Sequence, residues 1–214
     1  MMKQDLRSIR SVANIKKAFV DLLQEKPFEK IKVSEIARKA GIDRQTFYLH
    51  FVDKYDLLDK MNKEFLQVYK TILVERLEGD NSFALEKLEK IYQGNLPYLK
   101  EHRLEVLSLL KIDTGRICLK RDLRKMLIDK YQEITGEALT SFQQDMLATL
   151  YVDSFITFIK EDRKISDKEI EDLVIIVRLI LLFALRPVSV PFQPVPAGKQ
   201  PPISCPPVLG QWPV

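Results

Sequence analysis

Seven consecutive residues, Arg44 to His50 in the stretch "IDRQTFYLH", combine side chains whose chemistry suits the edges and backbone of a double helix. At about 100° of rotation per residue, Phe47 and Phe51 fall on one edge of a short helix, whereas Gln45 and Leu49 point almost the opposite way. Thr46 and Tyr48 flank that outer edge. A glutamine amide can pair with adenine N6 and N7, an apolar side chain can meet a thymine methyl, and Arg44 can reach guanine or phosphate. Thr46, Tyr48 and His50 are placed to hold phosphates on either side, and Lys54, at the start of the next helix, adds a cation there. Readers of this kind meet bases through their N-terminal residues, where Arg44 and Gln45 stand. A helix with a purely structural role would be expected to carry Lys or Glu on its outer edge. An exposed leucine alone decides nothing, because single surface apolar residues are common.

Other chemistries find little support. The chain has two histidines, His50 within this segment and His102 in a charged stretch, and no Gly-rich phosphate loop. No serine or cysteine stands in a recognisable nucleophile setting. Cys118 and Cys205 are far apart and follow no metal spacing. The expectation is therefore no enzymatic activity, no catalytic residue, no metal and no cofactor. The cysteine usage suits a reduced, cytoplasmic compartment.

The elements that must position the seven residues are legible around them. Ile15, Ala18, Phe19, Leu22 and Leu23 form one apolar stripe at helical spacing, with Lys16, Lys17, Asp21 and Gln24 left for solvent, and Pro27 closes that helix. A second short helix lies in "VSEIARKA", its inner face Ile36, Ala37 and Ala40, its first turn carrying Glu35. Gly41 suits the left-handed position that ends it. Ile42 can plug the corner, and Asp43 is a good N-cap for the helix starting at Arg44. Two short helices joined by a tight Gly-containing turn describe a helix-turn-helix. Asp53 then caps a longer helix beginning with Leu57, Leu58 and Met61.

The segment "KIKVSEIARKAGIDRQTFYLHFVDKYDLL", residues 30–58, resembles the N-terminal DNA-binding domain of the TetR/AcrR family of bacterial transcriptional regulators. The resemblance rests on Ile36–Gly41 (I-A-x-x-A-G), Thr46–Tyr48 (T-F-Y), Phe51, and Lys54–Leu58 (K-x-x-L-L), and extends upstream through the Ile15–Phe28 helix. It implies an all-α homodimer of roughly nine helices: a three-helix head, a connecting fourth helix, and a last pair forming the dimer interface. It further implies a repressor released from a pseudo-palindromic operator when a small molecule enters the C-terminal core. On the same analogy Thr46, Tyr48 and Lys54 contact phosphates, and Arg44 and Gln45 read bases. The chain departs from the family pattern at Gln45, where a small residue is usual, at Asp43, where Ser is usual, and at Pro27, where Gly precedes the phenylalanine.

Bulk properties agree with a helical body. At 214 residues and 46% hydrophobic content the chain can bury a sizeable core, and its seven glycines are few. Residues 1–60 hold 13 Lys plus Arg against 9 Asp plus Glu, while residues 61–214 hold 21 against 21, so the whole net charge of +4 sits at the front. Further amphipathic helices are expected near 62–78, 82–94, 96–111, 116–133, 140–161 and 167–185. Thr140 with Gln143 and Ser166 with Glu169 match the capping-box pattern. The last two helices are apolar around much of their girth, which favours homodimerisation through 140–161 and 167–185 over a purely internal core. "LVIIVRLILLFAL", Leu173–Leu185, is shorter than the roughly 20 residues needed to span a bilayer, so no membrane partner is expected.

The expected organisation is a DNA-binding domain at 1–60, an effector-binding and dimerisation domain at 61–186, and a tail at 187–214. Nine of the 11 prolines lie in the 29 residues from Arg186, a density that favours extended polyproline segments. The tail reads as a disordered or read-through extension, with a docking peptide as the sharper alternative. No residue is assigned to an effector. A basic stripe at Arg116, Lys120 and Arg124 is interleaved with Asp113, Asp122 and Asp129 and reads better as a solvated helix face. Aromatics such as Tyr92, Tyr98, Tyr131 and Phe155 read as core. The alternative function is a DNA-binding regulator whose C-terminal domain holds a partner protein instead of a small molecule.

Overall fold

The computed structural model describes residues 6–77, 85–136, 138–160 and Lys168. Among these, every regular element is helical apart from one isolated bridge pairing Asp113 with Cys118. The expected all-α class holds. The second helix of the expected dimer pair near 167–185, the Ser166–Glu169 capping box, Cys205 and the tail at 187–214 lie outside the described residues.

The first helix, α1 (Leu6–Glu25), buries Ile15, Ala18, Phe19 and Leu22, the stripe read from their spacing. After Pro27 a 3₁₀ turn at Phe28–Lys30 leads into α2 (Val33–Ala40), which buries Ile36, Ala37 and Ala40. Gly41 ends α2 at φ 69°, in the left-handed region where any Cβ would be strained, and its N–H closes on the carbonyls of Ala37 and Arg38. Then come α3 (Arg44–His50) and α4 (Lys54–Leu77). Asp53 caps α4, its Oδ1 accepting from the backbone N–H of Tyr55 and of Asp56, each at 2.8 Å. The helix expected near 62–78 is the far end of this single 24-residue helix, which passes residue 60 without a break.

Two boundaries differ from expectation. The break anticipated ahead of 96 is absent: α5 (Leu85–Glu101) runs through Pro97, and the chain turns at His102 instead, before α6 (Arg103–Leu109). Proline removes one helical donor and crowds the preceding turn, and here the helix continues past that cost. The helix expected from 116 starts at Leu119 as α7 (Leu119–Thr135). Before it, Asp113 Oδ1 accepts from Gly115 N–H at 2.7 Å, and Gly115 sits at φ 76°. Arg121 donates to the carbonyls of Gly115 and Arg116, tying this turn to α7. Arg116 is thus not helical and the three-residue basic stripe does not form. Lys120 pairs instead with Asp153 at 2.8 Å, and Arg124 lies 3.9 Å from Asp145.

The segment expected as one helix at 140–161 has three parts: α8 (Ser141–Ala148), a π-helical turn at Thr149–Asp153, and α9 (Ser154–Lys160). Thr140 and Gln143 form the expected capping box: Gln143 N–H donates to Thr140 Oγ1 at 3.3 Å, and Thr140 N–H to Gln143 Oε1 at 2.9 Å.

One apolar core joins these helices. Phe19, Phe47, Leu57, Leu58 and Met61 at the N-terminal end are fully buried, as are Leu109, Leu119, Leu123 and Leu127 further along. Each such side chain stabilises the fold by about 1.5–3 kcal/mol on transfer from water. Tyr131 is buried, and Tyr98 and Phe155 pack partly buried against the same core. At the seam between α1 and α6, Gln24 donates to the buried Ser108 hydroxyl at 2.6 Å. No described helix is long and apolar enough to cross a membrane.

Candidate nucleic-acid interface

The short α3 is fixed from its phenylalanine edge. Phe47 is 0% and Phe51 4% exposed, their rings 5.6 Å apart, within the core that includes Ile36 and Ala40 of α2 and Phe19 of α1. The opposite edge is bare: Leu49 is 81% exposed, and Arg44 and Gln45 are exposed beside it. Tyr48 is half-exposed, its ring set edge-on to Phe47 at 5.6 Å and its hydroxyl 3.5 Å from Arg44 Nη2. Thr46 and His50 are partly buried. Arg44, Gln45, Thr46, Tyr48, Leu49 and His50 therefore share one small element, with Gln45 and Leu49 on its free side.

The N-terminus of α3 is capped as the sequence suggests. Asp43 Oδ1 accepts from Thr46 N–H at 2.6 Å, so this acid is turned into the helix end. That backbone hydrogen bond is the main reason its carboxyl is held below the ordinary 3.8. A folded value below the unfolded one means that the cap stabilises above the unfolded pKa, and this contribution is lost as pH falls through the folded pKa. Far-UV circular dichroism should therefore show wild type losing helix stability on acidification below about pH 4, relative to an Asp43→Asn variant that keeps a capping acceptor without the titration. Parallel acid profiles for the two proteins would remove this role.

Lys54 stands apart from the other six. Its ammonium donates to three backbone carbonyls, Phe28 at 2.9 Å, Glu29 at 2.9 Å and Ile31 at 3.0 Å, and lies 4.6 Å from the centre of the Phe28 ring. Burial, partly opposed by Glu29 and Asp53, holds its pKa below the ordinary value. Three supporting residues escaped the sequence reading. Asp56 Oδ2 accepts from Val52 N–H at 2.9 Å, and Lys60 bridges Asp56 at 2.9 Å and the His50 carbonyl at 3.0 Å. The available signal was the Asp56–Lys60 pair, spaced for an ion pair on one helix face. Val52, 76% exposed, carries the uncovered apolar surface past the end of α3.

A short helix with one edge buried, the other open, and its flanking turn stapled by backbone contacts has the geometry of the second helix of a helix-turn-helix. Residues 15–61 match the family model described as bacterial regulatory proteins, tetR family. Over that N-terminal segment the chain is similar to the regulatory proteins of the tetR family. It is 28% identical over 114 residues to the fatty acid metabolism regulator protein of Bacillus subtilis, across 51% of this chain and 57% of that one. It is 34% identical over 88 residues to the uncharacterized HTH-type transcriptional regulator YxbF of the same organism, across 40% of this chain and 23% of that one. An HTH-type transcriptional regulator of Staphylococcus aureus matches at 27% identity over 172 residues, 77% of this chain and 89% of that one. The chain thus spans little more than half, and under a quarter, of the two Bacillus relatives.

Proposed function

We propose that this chain is a dimeric repressor that reads a pseudo-palindromic operator through α3 and leaves it when a small molecule binds the helical body. In this reading residues 1–60 are the DNA-binding domain and residues 61–186 the effector-binding and dimerisation domain, and the protein works in the cytoplasm. The observation that carries the DNA role is the exposure of Gln45 and Leu49 opposite the buried Phe47 and Phe51. Arg44 and Gln45 read bases, Leu49 meets a thymine methyl, and Thr46, Tyr48 and His50 hold the backbone.

An open groove of about 400 Å³ lies against α4 and α7, lined by five charged side chains, Lys70, Asp122, Lys125, Asp129 and Lys130, and by Met126. Such a lining would suit a charged or polar effector and not an apolar one. Homodimerisation is argued from the apolar girth of the segments at 140–161 and 167–185 read from the sequence.

The test is selection of bound duplexes from a random pool, repeated with a metabolite library. The expected winner is an inverted repeat with half-sites about 34 Å apart, one helical turn. Enrichment of unpaired half-sites would remove the dimer. Loss of binding with a protein partner but with no metabolite would replace the effector by that partner.

A further inference from the structure

We propose that Lys54 is a positioning residue and not a phosphate contact: its ammonium gathers the end of the 3₁₀ turn onto the start of α4 and so fixes the pose of α3. The inference rests on α3 being the reading element. The geometry is that of a filled donor. An ammonium has three N–H groups and no acceptor capacity, and Lys54 directs three to the Phe28, Glu29 and Ile31 carbonyls at 2.9, 2.9 and 3.0 Å. The cation also faces the Phe28 ring at 4.6 Å and the Tyr55 ring at 5.5 Å, contacts that gain strength as water is excluded. Phe28 in turn stands edge-on to Phe19 of α1 at 6.1 Å and to Tyr55 of α4 at 5.1 Å. One side chain thereby joins α1, the turn before α2, and α4.

To reach a phosphate oxygen, Lys54 would have to release at least one carbonyl; that of Phe28 also accepts from Ile31 N–H at 3.1 Å, but those of Glu29 and Ile31 have no other described donor. Lys60 works alongside it from six residues further on, closing the C-terminal carbonyl of His50 and covering the Phe51 ring at 5.1 Å. The two lysines make the start of α4 the clamp on both the entrance and the exit of the α2–α3 unit. The DNA backbone is then met from α3 itself, by donors such as the exposed Tyr48 hydroxyl.

Arginine separates the alternatives. A planar guanidinium is at least as good a phosphate ligand as an ammonium, but it cannot converge three donors on carbonyls arranged about a point. Lys54→Arg and Lys54→Met are to be compared with wild type by amide hydrogen exchange in the free protein and by DNA affinity across a salt series. Both variants are expected to exchange faster at the Thr46–Phe51 amides and to bind about tenfold more weakly, the loss tracking the orphaned carbonyls. Neither is expected to change the slope of log affinity against log salt. A Lys54→Met variant with wild-type α3 protection and a slope reduced by about 0.9, restored by Lys54→Arg, would make Lys54 a phosphate contact and overturn the proposal. Unchanged exchange in both variants would overturn it whatever the DNA result. Faster exchange in a protein whose wild type selects no duplex would uphold the clamp and refute the reading role of α3.

Discussion

Replacing Phe47 by alanine is expected to remove about 3–5 kcal/mol of stability, the range seen when a large aromatic is cut from a packed core. Phe47 is fully buried, meets Phe51 and Tyr48 through its ring, and is the largest side chain that α3 contributes to the core. A loss of that size is comparable with the whole stability of many domains, so the head should melt at ordinary temperatures and specific DNA binding should disappear with it. The control is two residues away. Leu49→Ala touches a side chain that is 81% exposed and should leave stability within about 0.5 kcal/mol of wild type. Chemical denaturation of both variants beside an electrophoretic binding assay checks the pair. If Leu49→Ala also unfolds the head, Leu49 is covered by something in the free protein and the reading face has been misplaced.

Gln45→Ala should act on recognition alone. Loss of a bidentate pair with adenine is worth about 1–3 kcal/mol, and it should be confined to one base-pair position per half-site. The measurement is affinity for operators changed one pair at a time: wild type should show a steep preference at that position and the variant a flat one. Tyr48→Phe should instead weaken every operator by a similar factor, since a hydroxyl on a phosphate carries no sequence information. A Gln45→Ala variant with an intact base-preference profile would show that the bases are read by other side chains.

The head was largely legible because its signals are local. Gly41 must take positive φ for the turn after α2, Asp43 has its acceptor at the right distance from Thr46 N–H, and the Ile36, Ala37 and Ala40 spacing fixes which face of α2 turns inward. What escaped was decided by tertiary partners. Lys54 reads as a free cation because sequence records its charge and not the three carbonyls that surround it. Pro97 reads as a break because its lost donor is a local fact, whereas the packing that carries α5 onward to Glu101 is not. Arg116 reads as helical by spacing until the Asp113–Gly115 turn, held by Arg121 from α7, moves the start to Leu119.

The π-helical turn at Thr149–Asp153 sets a phase for everything beyond it. Leu147, Tyr151, Phe155 and Ile159 recur at every fourth position, as do Ala148, Val152 and Ile156, and all of these are buried or partly buried. In an ideal α-helix a step of four overshoots a full circle by about 40°, so such a pattern would wind steadily out of the core. A wider turn advances less per residue and brings the two rows back in line. Wound as uninterrupted α-helix, the same residues would leave Val152, Ile156 and Ile159 progressively out of step with Leu147 and Ala148, and the segment therefore has a single angular setting in which its whole length stays dry.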